Sequence, residues 1–297
     1  SGKEWADNII SELKEMPNVI VKNRSQVFGY YDHNMLVMSE KLSDHLPKTK
    51  KYNPKQRLWY IRAKEVVISS GSIERPLVFG NNDTPGVMLS SAAKEYLKVY
   101  GVLVGKKPLI FTNNDSGYET AIEFKKNGVD PVVLDTRKEL KSEIIDEAKK
   151  LNIQIKFSYV IVAAKGYKKV KSAEVAKISD DKKKLGALEN INCDCICVSG
   201  FWTPTIHLAS QSGNKTTFNK DIDAFVPGLS KQNETTLGAA NGTFTLEETL
   251  KKSFESGYEL SKKITKNENK TSTPTVMEKK STIHDKFWCV PLPKDKT

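Results

Sequence analysis

The apolar positions of this chain change their period along its length. In WADNIISELKE (5–15) they recur every three or four residues, which predicts a helix. NVIVKNRSQVFGYY, NMLVMSEKL and RLWYIRAKEVVISSG read as strands, the last two separated by the lysine-rich loop DHLPKTKKYNPKQ. SSAAKEYLKVYGV predicts a helix stopped by Gly101. From Lys107 the pattern becomes strand–helix–strand–helix: PLIFT, GYETAIEFKKNG, PVVLDT, KELKSEIIDEAKKLN, then the strands IQIKFS and YVIVAA. That alternation is the signature of a parallel sheet covered by helices. Gly166 opens a meander with an Asp-Asp-Lys hairpin tip. FWTPTIHLASQSG is a helix candidate entered over Pro204, and a strand pair follows around KTTFN and AFVPG. The glycine-rich turn in TLGAANG precedes a long amphipathic helix, and from Lys266 a polar Thr/Lys/Asn-rich stretch reads as linker.

The order of these elements predicts an α/β chain with two nested dinucleotide-binding folds and Rossmann-like parallel sheets, of the FAD/NAD-binding, disulfide-reductase-like kind. Residues 1–105 form the middle part of the outer fold and 106–200 an inserted second Rossmann-like domain. Residues 201–265 return to the outer fold, and 266–297 lead as a linker toward a further C-terminal domain.

Composition narrows the function. At 297 residues, 38% hydrophobic and 28% charged, the chain suits a soluble globular protein with two ordinary cores. No apolar run approaches the roughly 20 residues that span a bilayer. No signal peptide precedes the first strand, so a cytoplasmic protein without a membrane partner is expected. SGKEW lacks an initiator Met and PLPKDKT lacks a structural stop, which fits a piece of a longer polypeptide. The net charge of +11 comes from lysines in hairpin tips, helix faces and a tail, without an Arg-rich stripe, so no nucleic-acid partner is expected. Cys193, Cys195 and Cys197 alternate in NCDCICVSG, which places them on one face of a strand about 7 Å apart. With Cys289 isolated and no C-x-x-C pair, they read as free thiols in a packed sheet, and no metal site is expected.

Three turns have the composition of a nucleotide site. VVISSGSIERP (66–76) ends a β-branched strand in two serines and a glycine, exposing backbone amides at the carboxyl edge, where open α/β sheets bind ligands. Gly71, lacking a Cβ, lets a ribose or pyrophosphate come close, and Arg75 is placed to pair with an acidic group. The alternative is a plain strand exit with Arg75 in a surface salt bridge. In LGAANGTFTLEET (237–249), Gly238, Asn241 and Gly242 open a helix whose N-terminal amides suit an anion. The alternative there is a sharp turn with Asn-Gly at positive φ.

The third turn, FTNNDSGYETA (111–121), has the strand, turn and helix of a G-x-G-x-x-G loop. Thr112 and Asn114 stand at the first two glycine positions, and Gly117 at the third. Gly117 serves close helix–strand packing. Asn114 puts a side chain where backbone must meet pyrophosphate, and Asp115 adds a carboxylate there at a Coulomb cost. Asp135 ends the next strand, where a ribose-binding acid belongs; the alternative is a common residue on the N-cap side of a helix. The fold is retained with the phosphate lost from this loop, and the cofactor is expected in the outer fold.

Taken together, QVFGYYDHN, RLWYIRAKEVVISSGSIERPLVFGNNDTPGVMLSSAAKEYLKVYGV, FTNNDSGYETA, VSGFWTPTIHLASQSGNK and LGAANGTF closely resemble the α subunit of heterotetrameric sarcosine oxidase, from about Val19 to Pro291. SIERPLVF, NNDTPGVML and HLASQSG are specific because the fold alone does not require them. The resemblance implies a region bound to β, γ and δ subunits. It also implies NAD held by α, FAD and FMN in the assembled complex, and a tetrahydrofolate-binding domain beyond this chain. It implies demethylation of sarcosine to glycine with one-carbon transfer and peroxide formation. Ser70 and Gly71 match the family's outer dinucleotide turn, and Gly238, Asn241 and Gly242 the late turn over the same cofactor. Thr112, Asn114 and Gly117 match the degenerate inner loop.

No catalytic residue is carried over, and Asp32, His33 and His207 are read as structural. An oxidoreductase acting on CH–NH groups as part of a complex is therefore expected, with this piece inactive alone. The alternatives are the α subunit of an opine, proline or hydroxyproline dehydrogenase, or a cofactor-free scaffold joining the catalytic β subunit to the folate domain.

Overall fold

The apolar runs PLIFT and CICVS become two of the three inner strands of a five-stranded parallel sheet, and every residue of both is buried. A strand buried on both faces needs no polar alternation, which is why these runs read as continuously apolar. The computed structural model describes residues 2–47, 52–266, 272–276 and 284–291. The sheet order is Val87–Leu89, Cys195–Ser199, Pro108–Thr112, Val132–Asp135, Gln154–Phe157. Helices Ser90–Tyr100, Ser116–Lys126 and Glu143–Lys150 cover one face through Leu97, Tyr118, Phe124 and Ile145. The antiparallel meander Tyr159–Gly166, Val170–Ile178, Leu185–Asn192 covers the other through Val160, Ile161 and Val175. The first sheet strand, Val87–Leu89, and the helix after it come from residues assigned above to the outer fold. They pair with Cys195–Ser199 and pack on this sheet.

By contact, the chain divides into two units. One comprises Ser1–Ile68, Ile206–Thr217 and Pro227–Thr236; the other comprises Ser69–Thr205, Phe218–Val226 and Leu237–Thr297 and contains the parallel sheet. The first unit holds the antiparallel sheet Ser25–Tyr31, Met35–Lys41, Gln56–Arg62 and the parallel pair Val66–Ile68 with Glu234–Thr236. Its core is Tyr30, Leu36, Val66, Ile68 and Ala209. Asn34 ties this unit together: it accepts from Tyr30 Oη (2.8 Å) and donates through Nδ2 to the Asn233 carbonyl (3.0 Å). Asp32 and His33 are exposed in the turn beside it, where His33 has a φ of 60°.

Three expectations need correction. Cys193 does not share a face with Cys195 and Cys197. Asp194 accepts from the amides of Lys106 (2.9 Å) and Lys107 (2.7 Å), which pins the strand start at Cys195. Cys193 therefore packs with the meander while Cys195 and Cys197 pack with the helices. Their thiols are 3.6 Å apart, closer than the strand repeat, because the side chains lean together. In FWTPTIHLASQSG only His207–Gln211 is helical; Trp202–Pro204 is a strand paired with Ser72–Glu74, and His207 is exposed. The expected linker is not all linker. Residues 284–291 add to the sheet unit, where Val78 N donates to the Trp288 carbonyl (2.8 Å) and Val290 N to that of Val78 (2.9 Å). Phe287 and Val290 are buried in its core. Residues 267–271, 277–283 and 292–297 of that stretch lie outside the described residues.

Candidate functional site

The predicted site residues fall into two places within the sheet unit. Ser70, Gly71 and the late turn Gly238–Gly242 flank the short strand Trp202–Pro204. Ser70 Oγ donates to the Thr205 carbonyl (2.8 Å), and Thr205 N donates to that of Gly71 (3.0 Å). The turn Gly238–Asn241 packs against the same strand. Gly71 has a φ of 73° and nothing within 4 Å of where a Cβ would stand, so its backbone is open to a close-fitting group. Gly238 (φ 67°) and Gly242 (φ 75°) take the positive φ expected of this turn, but Ile222 and Val226 crowd Gly242. The Asn241 side chain is exposed.

The helix after this turn starts later than expected. Gly238–Asn241 is a single 3₁₀ turn, and the long helix spans Leu246–Thr265. Glu247 and Glu248 lie in its first turn, so its positive dipole end is already served by acids. Among the described residues Arg75 makes no salt bridge: its Nε donates to Thr203 Oγ1 (3.0 Å), and its guanidinium lies 3.9 Å over the Trp288 ring.

Gly117 and Asp135 sit at the carboxyl edge of the parallel sheet. A Cβ on Gly117 would fall 2.6 Å from Thr112 Cβ, so glycine is required there for helix–strand packing. Asp135 is fully buried and accepts from Tyr118 Oη (2.8 Å), Arg137 N (2.9 Å) and Arg137 Nη2 (2.8 Å). The loop between them is fastened by its own side chains. Asn114 N donates to Thr112 Oγ1 (3.1 Å), and Ser116 N to Asn114 Oδ1 (2.8 Å). Asn114 Nδ2 reaches the Ser199 carbonyl (3.1 Å).

A cleft of about 500 Å³ lies beside this loop, and three helices start at its rim. Its carboxylates belong to Glu74, Asp115, Glu119 and Glu143, against the ammonium of Lys94, which Glu119 already holds at 2.6 Å. Glu74, missed by sequence reasoning, accepts from Ser91 N (2.7 Å) at the start of Ser90–Tyr100. Burial pushes its carboxyl above the ordinary value, against the bonds from Ser91. Trp202 closes one wall, its Nε1 donating to Ser116 Oγ (3.0 Å). This acidic lining does not suit a diphosphate, whereas the backbone at Gly71 stands open. Among the described residues no cluster of three or more His, Cys, Asp or Glu has metal-holding geometry, and no helix is long and apolar enough to cross a membrane.

Over 248 residues the chain is 36% identical to the sarcosine oxidase α subunit of Rhizobium meliloti, covering 81% of this chain and 23% of that protein. The chain is related to the sarcosine oxidase α subunit. It spans about a quarter of the length of the curated α subunits it matches. No family model matches it. Among solved structures, T. acidophilum thioredoxin reductase is similar at a TM-score of 0.57 and 15% identity, over 82% of this chain and 74% of that one. L-proline dehydrogenase from P. horikoshii is similar at 0.52 and 19%, over 80% and 40%. Like the reductase, this relative of the sarcosine oxidase α subunit has an α/β Rossmann-like fold of the FAD/NAD-binding, disulfide-reductase type.

Proposed function

We propose that this chain is the nucleotide-binding region of an α subunit in a hetero-oligomeric amine oxidoreductase, sarcosine being the substrate of the assembled complex. A dinucleotide, NAD on this reading, lies against the outer turns, with Ser70 and Gly71 on one side and Gly238, Asn241 and Gly242 on the other. The observation that carries the proposal is the bare backbone at Gly71, in a chain related to sarcosine oxidase α subunits over most of its length. When bound, NAD supplies a nicotinamide able to accept hydride; the residues here supply backbone contact and placement. The flavins that oxidise the amine, FAD and FMN, belong on this reading to the complex formed with β, γ and δ subunits. Tetrahydrofolate belongs to a domain outside this chain.

Thermal unfolding with increasing NAD tests this. A ligand present at a hundredfold excess over its Kd stabilises by roughly 2.7 kcal/mol and raises Tm accordingly. No shift at millimolar NAD sinks the binding role. A cofactor-free scaffold is the second reading, favoured by the acids in the first turn of Leu246–Thr265 and by the fastened inner loop. Turnover of sarcosine against proline-type amines by co-expressed subunits decides the substrate, and the isolated chain is expected to yield no sarcosine-dependent peroxide.

A further inference from the structure

An open parallel sheet grips a dinucleotide at two points: the loop after its first strand, which meets the pyrophosphate, and the acid ending the second, which meets the ribose. In this chain one side chain joins both. Arg137 Nη1 lies 2.7 Å from Asp115 Oδ1 in the loop, and Nη2 lies 2.8 Å from Asp135 Oδ2 at the strand end. Neighbours hold the two acids as well: Ser142 Oγ donates to Asp115 (2.7 Å) and Tyr118 Oη to Asp135 (2.8 Å). The loop amides of Asn114 and Ser116 are taken by Thr112 and Asn114.

A second layer lies over the same edge. Asp285 N donates to the Asn113 carbonyl (2.8 Å), and Asn113 Nδ2 donates to the carbonyls of Asp285 (2.9 Å) and Phe287 (3.1 Å). The Asp285 carboxylate accepts from Thr136 Oγ1 (3.1 Å) and pairs with Lys182 at 2.9 Å. The strap around Asp285 therefore touches the ends of both strands that a dinucleotide would bridge.

We infer that the inner crevice is self-liganded: Arg137 fills the two gripping points, and the strap around Asp285 covers them. The crevice takes no dinucleotide and instead fastens residues 284–290 to the parallel sheet. This goes beyond the proposed function, relying on it only in leaving the outer turns as the dinucleotide site.

Amide hydrogen exchange on the intact chain, with and without millimolar NAD, tests both ideas separately. Peptides covering 69–75 and 237–244 are expected to slow with NAD, while those covering 111–118 and 134–138 exchange at an unchanged rate. NAD-dependent slowing at Asn113–Gly117 overturns the inference and spares the outer site. No slowing anywhere overturns the outer site and supports the closed crevice. Arg137→Gln is expected to speed exchange at Asn113–Gly117 on the order of a hundredfold without creating NAD protection there. Unchanged exchange in that variant overturns the inference. Should it not fold, Asp285→Ala removes only the carboxylate's bonds to Thr136 and Lys182 and is expected to speed exchange over 284–290 roughly tenfold. Unchanged exchange in Asp285→Ala overturns the fastening.

Discussion

Arg137 and Asp115 stand 2.7 Å apart with side chains only 5% and 9% exposed, and Asp135 on the other side of the guanidinium is wholly buried. Burial works against the charge on Arg137, but the hydrogen bonds and charges of the two acids more than offset it and hold its pKa above the ordinary arginine value. Removing the cation leaves two largely buried carboxylates without their counter-ion. Arg137→Met is therefore expected to cost about 3–5 kcal/mol, read from urea unfolding. Arg137→Lys recovers part at most, because an ammonium lacks the planar fork that reaches both acids. A loss below about 1 kcal/mol in Arg137→Met contradicts this account of the triad.

Gly117→Ala tests the packing role of the one glycine left in the inner loop. The added methyl would stand 2.6 Å from Thr112 Cβ and 2.7 Å from its Oγ1. Relief requires the helix Ser116–Lys126 to move off the strand Pro108–Thr112, since the nearest atom is the stem of the threonine. The expected cost is about 1–3 kcal/mol in denaturant unfolding. Helix propensity alone would favour alanine by roughly 1 kcal/mol, so a stabilised variant shows that the helix is free to shift.

The parts of this architecture that were legible in the sequence are the locally encoded ones. PLIFT, PVVLDT and GYETAIEFKKNG each carry their own period, and the structure makes them Pro108–Thr112, Val132–Asp135 and Ser116–Lys126. Asn114 reads from sequence as a side chain in the way of pyrophosphate; in the structure its carboxamide oxygen accepts from Ser116 N. What sequence could not show is long-range pairing. Asp115 reads from sequence only as a carboxylate costly beside a phosphate, because its cation, Arg137, lies beyond the helix Ser116–Lys126 and the strand Val132–Asp135. Asp285 sat in a polar stretch whose composition reads as linker, while its role depends on meeting Asn113 and Thr136. Glu74 was visible only as a letter in SIERP; its bond to Ser91 N follows from how Ser72–Glu74 pairs with Trp202–Pro204.

Glu74 gives the chain a pH dependence of definite sign. Burial raises its carboxyl pKa on folding, so the folded chain binds that proton more tightly than the unfolded chain does. The contribution of Glu74 to stability is therefore fullest below the ordinary carboxylate pKa. It declines as pH rises from that value through the raised one. Glu74→Gln keeps an acceptor for Ser91 N and removes the charge. Its Tm is expected to exceed that of the parent at neutral pH and to lose this advantage in acid. A difference between the two that does not vary with pH contradicts the assignment.

The four cysteines are expected to divide one against three in thiol chemistry. Cys289 is exposed, while Cys193, Cys195 and Cys197 are buried. Burial, with Cys195 and Asp194 nearby, pushes the Cys193 thiol up to about 12. The hydrogen bond with Cys195 and burial raise Cys197 well above the ordinary thiol value. Because the thiolate is the nucleophile, a rise to that level suppresses the reactive fraction at neutral pH on the order of a thousandfold, before access is considered. Iodoacetamide on the native chain should label Cys289 first, with the other three reacting only as the sheet opens in denaturant. Mass spectrometry of the labelled peptides reads this directly. Rapid native labelling at Cys195 or Cys197 would mean that the helices over this face of the sheet part from it far more readily than their buried packing implies.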